Sequence, residues 1–100
     1  MVQATTPTFV LTLPQDVDLS EARNVYFTAT QSRIILTKTG EDLTIDRNVV
    51  SVYLTQAETL MFSVGKIELQ LNWTYPNGER ACTNVVSVDV DKNLLKKVVE

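Results

Sequence analysis

Ten consecutive residues in the second half of the chain alternate polar and apolar side chains without an error: Lys66-Ile67-Glu68-Leu69-Gln70-Leu71-Asn72-Trp73-Thr74-Tyr75. A period of two is the period of a strand, whose successive side chains point to opposite faces. Ile67, Leu69, Leu71, Trp73 and Tyr75 therefore share one face. A strand with one apolar and one polar face belongs in an antiparallel sheet with one side on a core. Pro76-Asn77-Gly78 follows. Proline presets the φ of the first central position of a type I turn. Gly78 can take the positive φ that closes a three-residue hairpin with a bulge. The return run, residues 80–90, alternates as Ala81, Thr83, Val85 and then slips to Val86, Val88, Val90. That slip predicts a bulge or twist near Val85-Val86.

The rest of the chain repeats the strand-and-turn theme. Residues 8–13 place Phe9, Leu11 and Leu13 on one face, and residues 24–30 do the same with Val25, Phe27 and Ala29. Residues 33–38 and 43–45 read as two further strands, and residues 49–54 as a fifth with Val50, Val52 and Leu54 inward. Arg33, Lys38 and Asp46 can guard the third and fourth strands as edges, which leaves the first or the last strand as the free one. Residues 1–6 are small and polar and read as a frayed end. Thr55-Gln56-Ala57-Glu58 fits a capping box. It predicts a short helical crossover near residues 55–62, with Leu60, Met61 and Phe62 plugging the end of the core. Near the C-terminus Leu94, Leu95, Val98 and Val99 recur at helical spacing, and Asp91 or Asn93 can cap the start. A short C-terminal helix is expected there, its stripe docked on this domain or on a neighbouring chain. The resulting fold class is all-β: a seven-stranded immunoglobulin-like antiparallel β-sandwich in one domain, residues 1–100, with its core in 8–90 and a tail at 91–100. A small barrel is the alternative.

Composition narrows the chemistry. Without histidine, the usual general base, proton shuttle and zinc ligand is missing. Gly40, Gly65 and Gly78 each sit at a turn, so no glycine-rich phosphate loop can form. Apart from Lys96-Lys97 the nine Lys and Arg are scattered, which gives no basic stripe for nucleic acid. No apolar run approaches the ~20 residues of a membrane span. The N-terminus lacks a basic region followed by an apolar one, so no signal peptide is read. A single cysteine, Cys82, allows no internal disulfide and suits a reducing cytoplasm. The expectation is a protein that is not an enzyme, without cofactor or metal, and with neither nucleic acid nor membrane as partner.

Five candidate features remain. Asp16, Asp18 and Glu21 could attract calcium, but their spacing matches no calcium loop, and a solvated acidic loop is the plainer reading. Cys82 has no histidine to activate it and is expected to be an inert, partly buried thiol. Asn72-Trp73-Thr74 matches an N-glycosylation pattern that counts only in a secreted chain. Trp73 and Tyr75, at a strand end beside a loop, could form a platform for a sugar or another ligand; their phase with Ile67, Leu69 and Leu71 argues for the core instead. The stripe of Leu94, Leu95, Val98 and Val99 is the better candidate for a partner interface.

Several of these segments carry a resemblance. Leu54-Thr55-Gln56-Ala57-Glu58-Thr59-Leu60, then Gly65-Lys66-Ile67-Glu68-Leu69-Gln70-Leu71, then Asn77-Gly78-Glu79-Arg80-Ala81-Cys82-Thr83 follow one another as strand, capped helical turn, alternating strand and turn. Upstream, Asp18-Leu19-Ser20 through Phe27-Thr28 supplies a polar loop before a strand. The set resembles small phage and prophage proteins of Gram-positive bacteria, and in particular the immunoglobulin-like N-terminal domains of baseplate upper proteins. The resemblance implies a virion structural protein of a tail, baseplate or capsid surface. Its partners would be other virion subunits or itself, and it implies no catalytic residues. Family members often continue into further domains, whereas this sequence ends after the tail, which implies a stand-alone subunit.

Overall fold

The structure, a computed structural model, describes residues 1–95. In chain order the strands are β1 (Thr8–Thr12), β2 (Asn24–Gln31), β3 (Ile34–Thr39), β4 (Leu43–Asp46), β5 (Val49–Tyr53), β6 (Gly65–Thr74), β7 (Arg80–Cys82) and β8 (Val86–Val90). One helix, α1 (Gln56–Leu60), lies between β5 and β6. A smaller sheet has the order β1-β5-β4. A larger one has the order β3-β2-β6, with β7 and β8 both paired to the far side of β6. Every strand pair is antiparallel. The two sheets enclose one core, as an all-β sandwich requires.

β6 is the axis of the larger sheet. It pairs with β2 along seven positions, so that Val25 faces Trp73, Phe27 faces Leu71 and Ala29 faces Leu69. These six side chains, with Ile67, are buried on the inward face. From the smaller sheet Val50, Val52 and Leu54 meet them, and the Phe9 ring stacks on Phe27 at 6.3 Å between centroids. Burying a side chain the size of Phe27 or Leu71 contributes roughly 1.5–3 kcal/mol, which is why strict alternation specifies the register. The turn after β6 follows its chemistry: the Gly78 N–H donates to the Tyr75 carbonyl at 2.9 Å, and Gly78 has φ +89°.

Among the described residues there are eight strands rather than seven, because the return run is cut in two. Residues 83–85 stand opposite only Gln70 and Leu71, one residue too many for a regular ladder. Thr83 manages the mismatch. Its backbone N–H donates to the Leu71 carbonyl at 2.9 Å. Its hydroxyl accepts from the Leu71 N–H at 3.1 Å, and its carbonyl accepts from Gln70 Nε2 at 2.9 Å. This is the bulge that the slip in alternation predicts. Ala81 pairs with Trp73 before it, and Val86 and Val88 pair with Leu69 and Ile67 after it, so the inward face survives the extra residue.

The N-terminus is not frayed. Val2 bridges Asp91 in parallel, the Gln3 N–H donates to the Asp91 carbonyl at 3.0 Å, and the terminal ammonium donates to the Asp89 carbonyl at 2.8 Å. Gln3 and Ala4 are buried, and Gln3 Nε2 donates to the Phe62 carbonyl. Polar composition misled here because the arm's backbone, not its side chains, completes the β8 edge. At that same end the capping box of α1 forms: Thr55 Oγ1 accepts from the Glu58 N–H at 3.2 Å, and Glu58 Oε1 accepts from the Thr55 N–H at 2.8 Å. Phe62 is the plug beneath it, whereas Leu60 is only half-buried and Met61 is exposed. Residues 91–95 form no helix. Asp91 is held in the bridge to Val2, and Asn93 turns its side chain to the Gln3 carbonyl and the Leu95 N–H. The remainder of the expected C-terminal helix, with Val98 and Val99, lies outside the described residues.

Candidate functional site

Trp73 is a core residue. It is 5% exposed between Val25 and Ala81, so its indole offers no face to a ligand. Its Nε1 meets no acceptor among the described residues. Tyr75 is half-buried against the same core. The two aromatics come together as packing and do not form a platform. Asp18 has a local job: its carboxylate accepts from the Ser20 hydroxyl and N–H and caps the 3₁₀ turn Leu19–Glu21. Those two hydrogen bonds hold its carboxyl below the usual value. Among the described residues no three His, Cys, Asp or Glu side chains converge as a metal site would need. Cys82 is exposed rather than partly buried, because it pairs with Asn72 on the outer, polar face of β6. Of the tail stripe, Leu94 is 90% exposed and Leu95 52%.

One open side of the sandwich carries two exposed valines, Val10 and Val86, while Ile35, Tyr53 and Val64 are exposed away from it. There β1, an edge of the smaller sheet, faces the β7–β8 edge of the larger one. Two adjoining grooves run along it. One, of about 360 Å³, is lined by Val10, Leu11, Thr12, Thr83 and Val86 among others. The second, of about 320 Å³, continues past Leu13, Pro14 and Val17 to the edge of Trp73. Leu13, Thr83 and Asn84 belong to both. Val10 is 62% exposed and Val86 47%.

Local chain chemistry explains why this side is open. Pro7 and Leu13 spend their backbone groups on Leu54 and Asn48 across β5. Pairing alternates along an antiparallel ladder, so the N–H and C=O groups of Thr8, Val10 and Thr12 point away from β5. They meet no backbone partner among the described residues. On the facing edge the N-terminal arm covers Asp89 and Asp91 but stops short of the bulge. The bulge also turns Val85 to the opposite surface, against Thr28 and Gln70, and leaves Val86 beside the groove. A signal for this surface existed in the sequence. Phe9-Val10-Leu11 and Val85-Val86 break the alternation of their strands, as Ile34-Ile35-Leu36 and Val49-Val50 do of theirs, so the signal was not specific.

The opposite side is closed by polar groups. Lys38 Nζ, on β3, lies 2.7 Å from Glu58 Oε1 at the start of α1. Burial raises the Glu58 carboxyl, but hydrogen bonds from Lys38 and from the Thr55 N–H outweigh it, and the net shift is downward. Gln31 clamps Ser63 with both ends of its amide, donating to the carbonyl at 2.8 Å and accepting from the N–H at 2.7 Å.

No family model, curated protein or solved structure matches the chain. No helix among the described residues is long and apolar enough to cross a membrane. What the geometry offers is therefore an apolar, partly unpaired surface between two sheet edges.

Proposed function

We propose that this chain is a non-enzymatic structural module of a phage or prophage particle, at the tail, baseplate or capsid surface, which acts through protein–protein contacts. The observation that carries the reading is the open side of the sandwich. It combines two exposed valines, a β1 backbone whose outer edge pairs with no strand among the described residues, and two adjoining grooves. The immunoglobulin-like part of the reading is supported by the strand order. β3 stands beside β2, β6 and β7–β8 as an added strand does in the variable-type sandwich, and β1, β5 and β4 form the second layer. The chain would be made in the bacterial cytoplasm and end in the virion, its partners being virion subunits, itself included.

The test is quantitative mass spectrometry on particles banded in a density gradient from the source lysate. The reading expects peptides of this chain in the particle band, at a fixed molar ratio to the other structural proteins. Particles free of the chain, with all of it in the soluble fraction, would refute the reading.

A further inference from the structure

The N-terminal arm is seated in a slot made by distant segments. Val2 bridges Asp91 in parallel, the Gln3 N–H donates to the Asp91 carbonyl, and the Asp91 N–H donates to the Met1 carbonyl. The Gln3 carbonyl accepts from Asn93 Nδ2 at 2.9 Å, and Gln3 Nε2 donates to the Phe62 carbonyl at 2.8 Å. Two residues later the rest of the fold takes hold of the chain again. The Thr5 carbonyl accepts from Thr59 Oγ1, and the Pro7 carbonyl accepts from the Leu54 N–H. Only Ala4 lies between these two grips, and its φ is +58°. An alanine in that region carries a steric cost that glycine does not. Ser32 and Arg47 also have positive φ, but each is the first central residue of a two-residue hairpin turn, between the strand partners Gln31 and Ile34 and between Asp46 and Val49. Such turns require a positive φ at that position. Ala4 closes no hairpin. It turns the chain from the edge of the larger sheet, where the arm docks, to β1 in the smaller one.

We propose that the arm is an exchangeable strand: Ala4 straightens, and residues 1–3 leave the slot on their own domain for the identical slot of a second copy. The slot's occupant is on view, because the segment that enters from the second copy is the one already seated there. Exchange replaces each of the arm's hydrogen bonds to Asp91, Asn93 and Phe62 with its equal across the contact. It breaks the bond from the Thr5 hydroxyl to the Val2 carbonyl and relieves Ala4 in both chains. Short connections under strain invite exchange of the segment they carry. Three residues reach about 10 Å when extended, so the two slots lie side by side and the exchange is mutual. The product is a closed two-fold pair. Three residues from each copy form a small contact, so the pair is concentration-dependent. The inference does not depend on the particle in which the chain is used.

The test uses the full chain. Mass is measured by light scattering from about 10 μM to about 1 mM, a range that covers weak association. The wild-type mass should rise with concentration and stop at the dimer. Ala4→Gly removes the strain from the closed form only, and should move the midpoint of pairing to at least about tenfold higher concentration. A second measurement follows the arm itself. One chain carries Val2→Cys and another Asp91→Cys, both with Cys82→Ser so that the exposed native thiol does not compete. Bridge partners lie within disulfide reach, and neither chain can close the 2–91 link alone. In an oxidised one-to-one mixture the 2–91 link should outnumber the two like-with-like links together. These chains keep Ala4, so their result does not rest on how glycine affects folding. A wild type that stays monomeric throughout would overturn the inference. So would a dimer equally strong in Ala4→Gly, or a mixture in which the 2–91 link is no commoner than the other two together.

Discussion

The two long sides of this sandwich are finished in opposite ways. On the β3–α1 side polar groups engage one another, Lys38 with Glu58, Thr55 and Glu58 in a reciprocal cap, and Gln31 with Ser63, beside a β3 edge on which Ile35 is exposed. The β1–β7–β8 side is finished with valines, a bulge and an unpaired backbone. Covering the first would mean stripping water from charges and amides already satisfied, which is costly. Covering the second removes apolar surface from water, which is favourable.

Substitutions can break or sharpen that contrast. The largest effect should come from Phe62→Ala beneath the closed end. Phe62 is fully buried, and its loss leaves a cavity worth about 3–5 kcal/mol in urea unfolding. Next comes Thr83→Val at the bulge. It keeps the shape but leaves the Leu71 N–H without its acceptor, at a cost of about 1–3 kcal/mol. A smaller change is expected for Glu58→Gln, and it should depend on pH. The Glu58 carboxyl is held below its ordinary value in the folded state. Its stabilisation is therefore present above the unfolded pKa and lost as pH falls through the folded one. A wild type that loses stability on the acid side, next to a Glu58→Gln chain whose melting temperature falls less over that range, would show the linkage. Parallel curves would show that the Lys38 contact contributes nothing. The smallest effect belongs to the open side: Val10→Asp should change the unfolding free energy by less than about 0.5 kcal/mol, because Val10 is already largely in water. A loss of several kcal/mol there would mean that the open side is part of the domain's own packing.

Most of the fold was legible in the sequence because it follows from periodicity. Phe27, Leu71 and Val52 lie inward where alternation places them, and Thr55 and Glu58 cap α1 as their spacing requires. The phase slip at Val85-Val86 located the bulge to within two residues. Backbone pairing between distant segments was not legible. Met1 and Gln3 dock on Asp91 through main-chain groups, which carry no side-chain signature. The candidate site was legible only in part. Trp73 was correctly in phase with the core, whereas Lys38, expected to guard the β3 edge, turns to Glu58 instead. The groove itself depends on two edges that are remote in sequence, and no single-strand pattern encodes their approach. The exposure of Cys82 could have been read from its pairing partner Asn72 once the hairpin register was fixed.

The bulge at 83–85 has a consequence for the kind of partner the domain can accept. An unbroken edge from Arg80 to Val90 would present a long row of backbone groups, and such a row templates any extended chain, including misfolded copies. The extra residue divides that row, and the N-terminal arm takes up part of what remains. Neither remnant is long enough to nucleate a growing cross-β stack. Of the two edges that meet at this side, only β1 keeps an undivided row, through Thr8, Val10 and Thr12, and strand addition would be directed there.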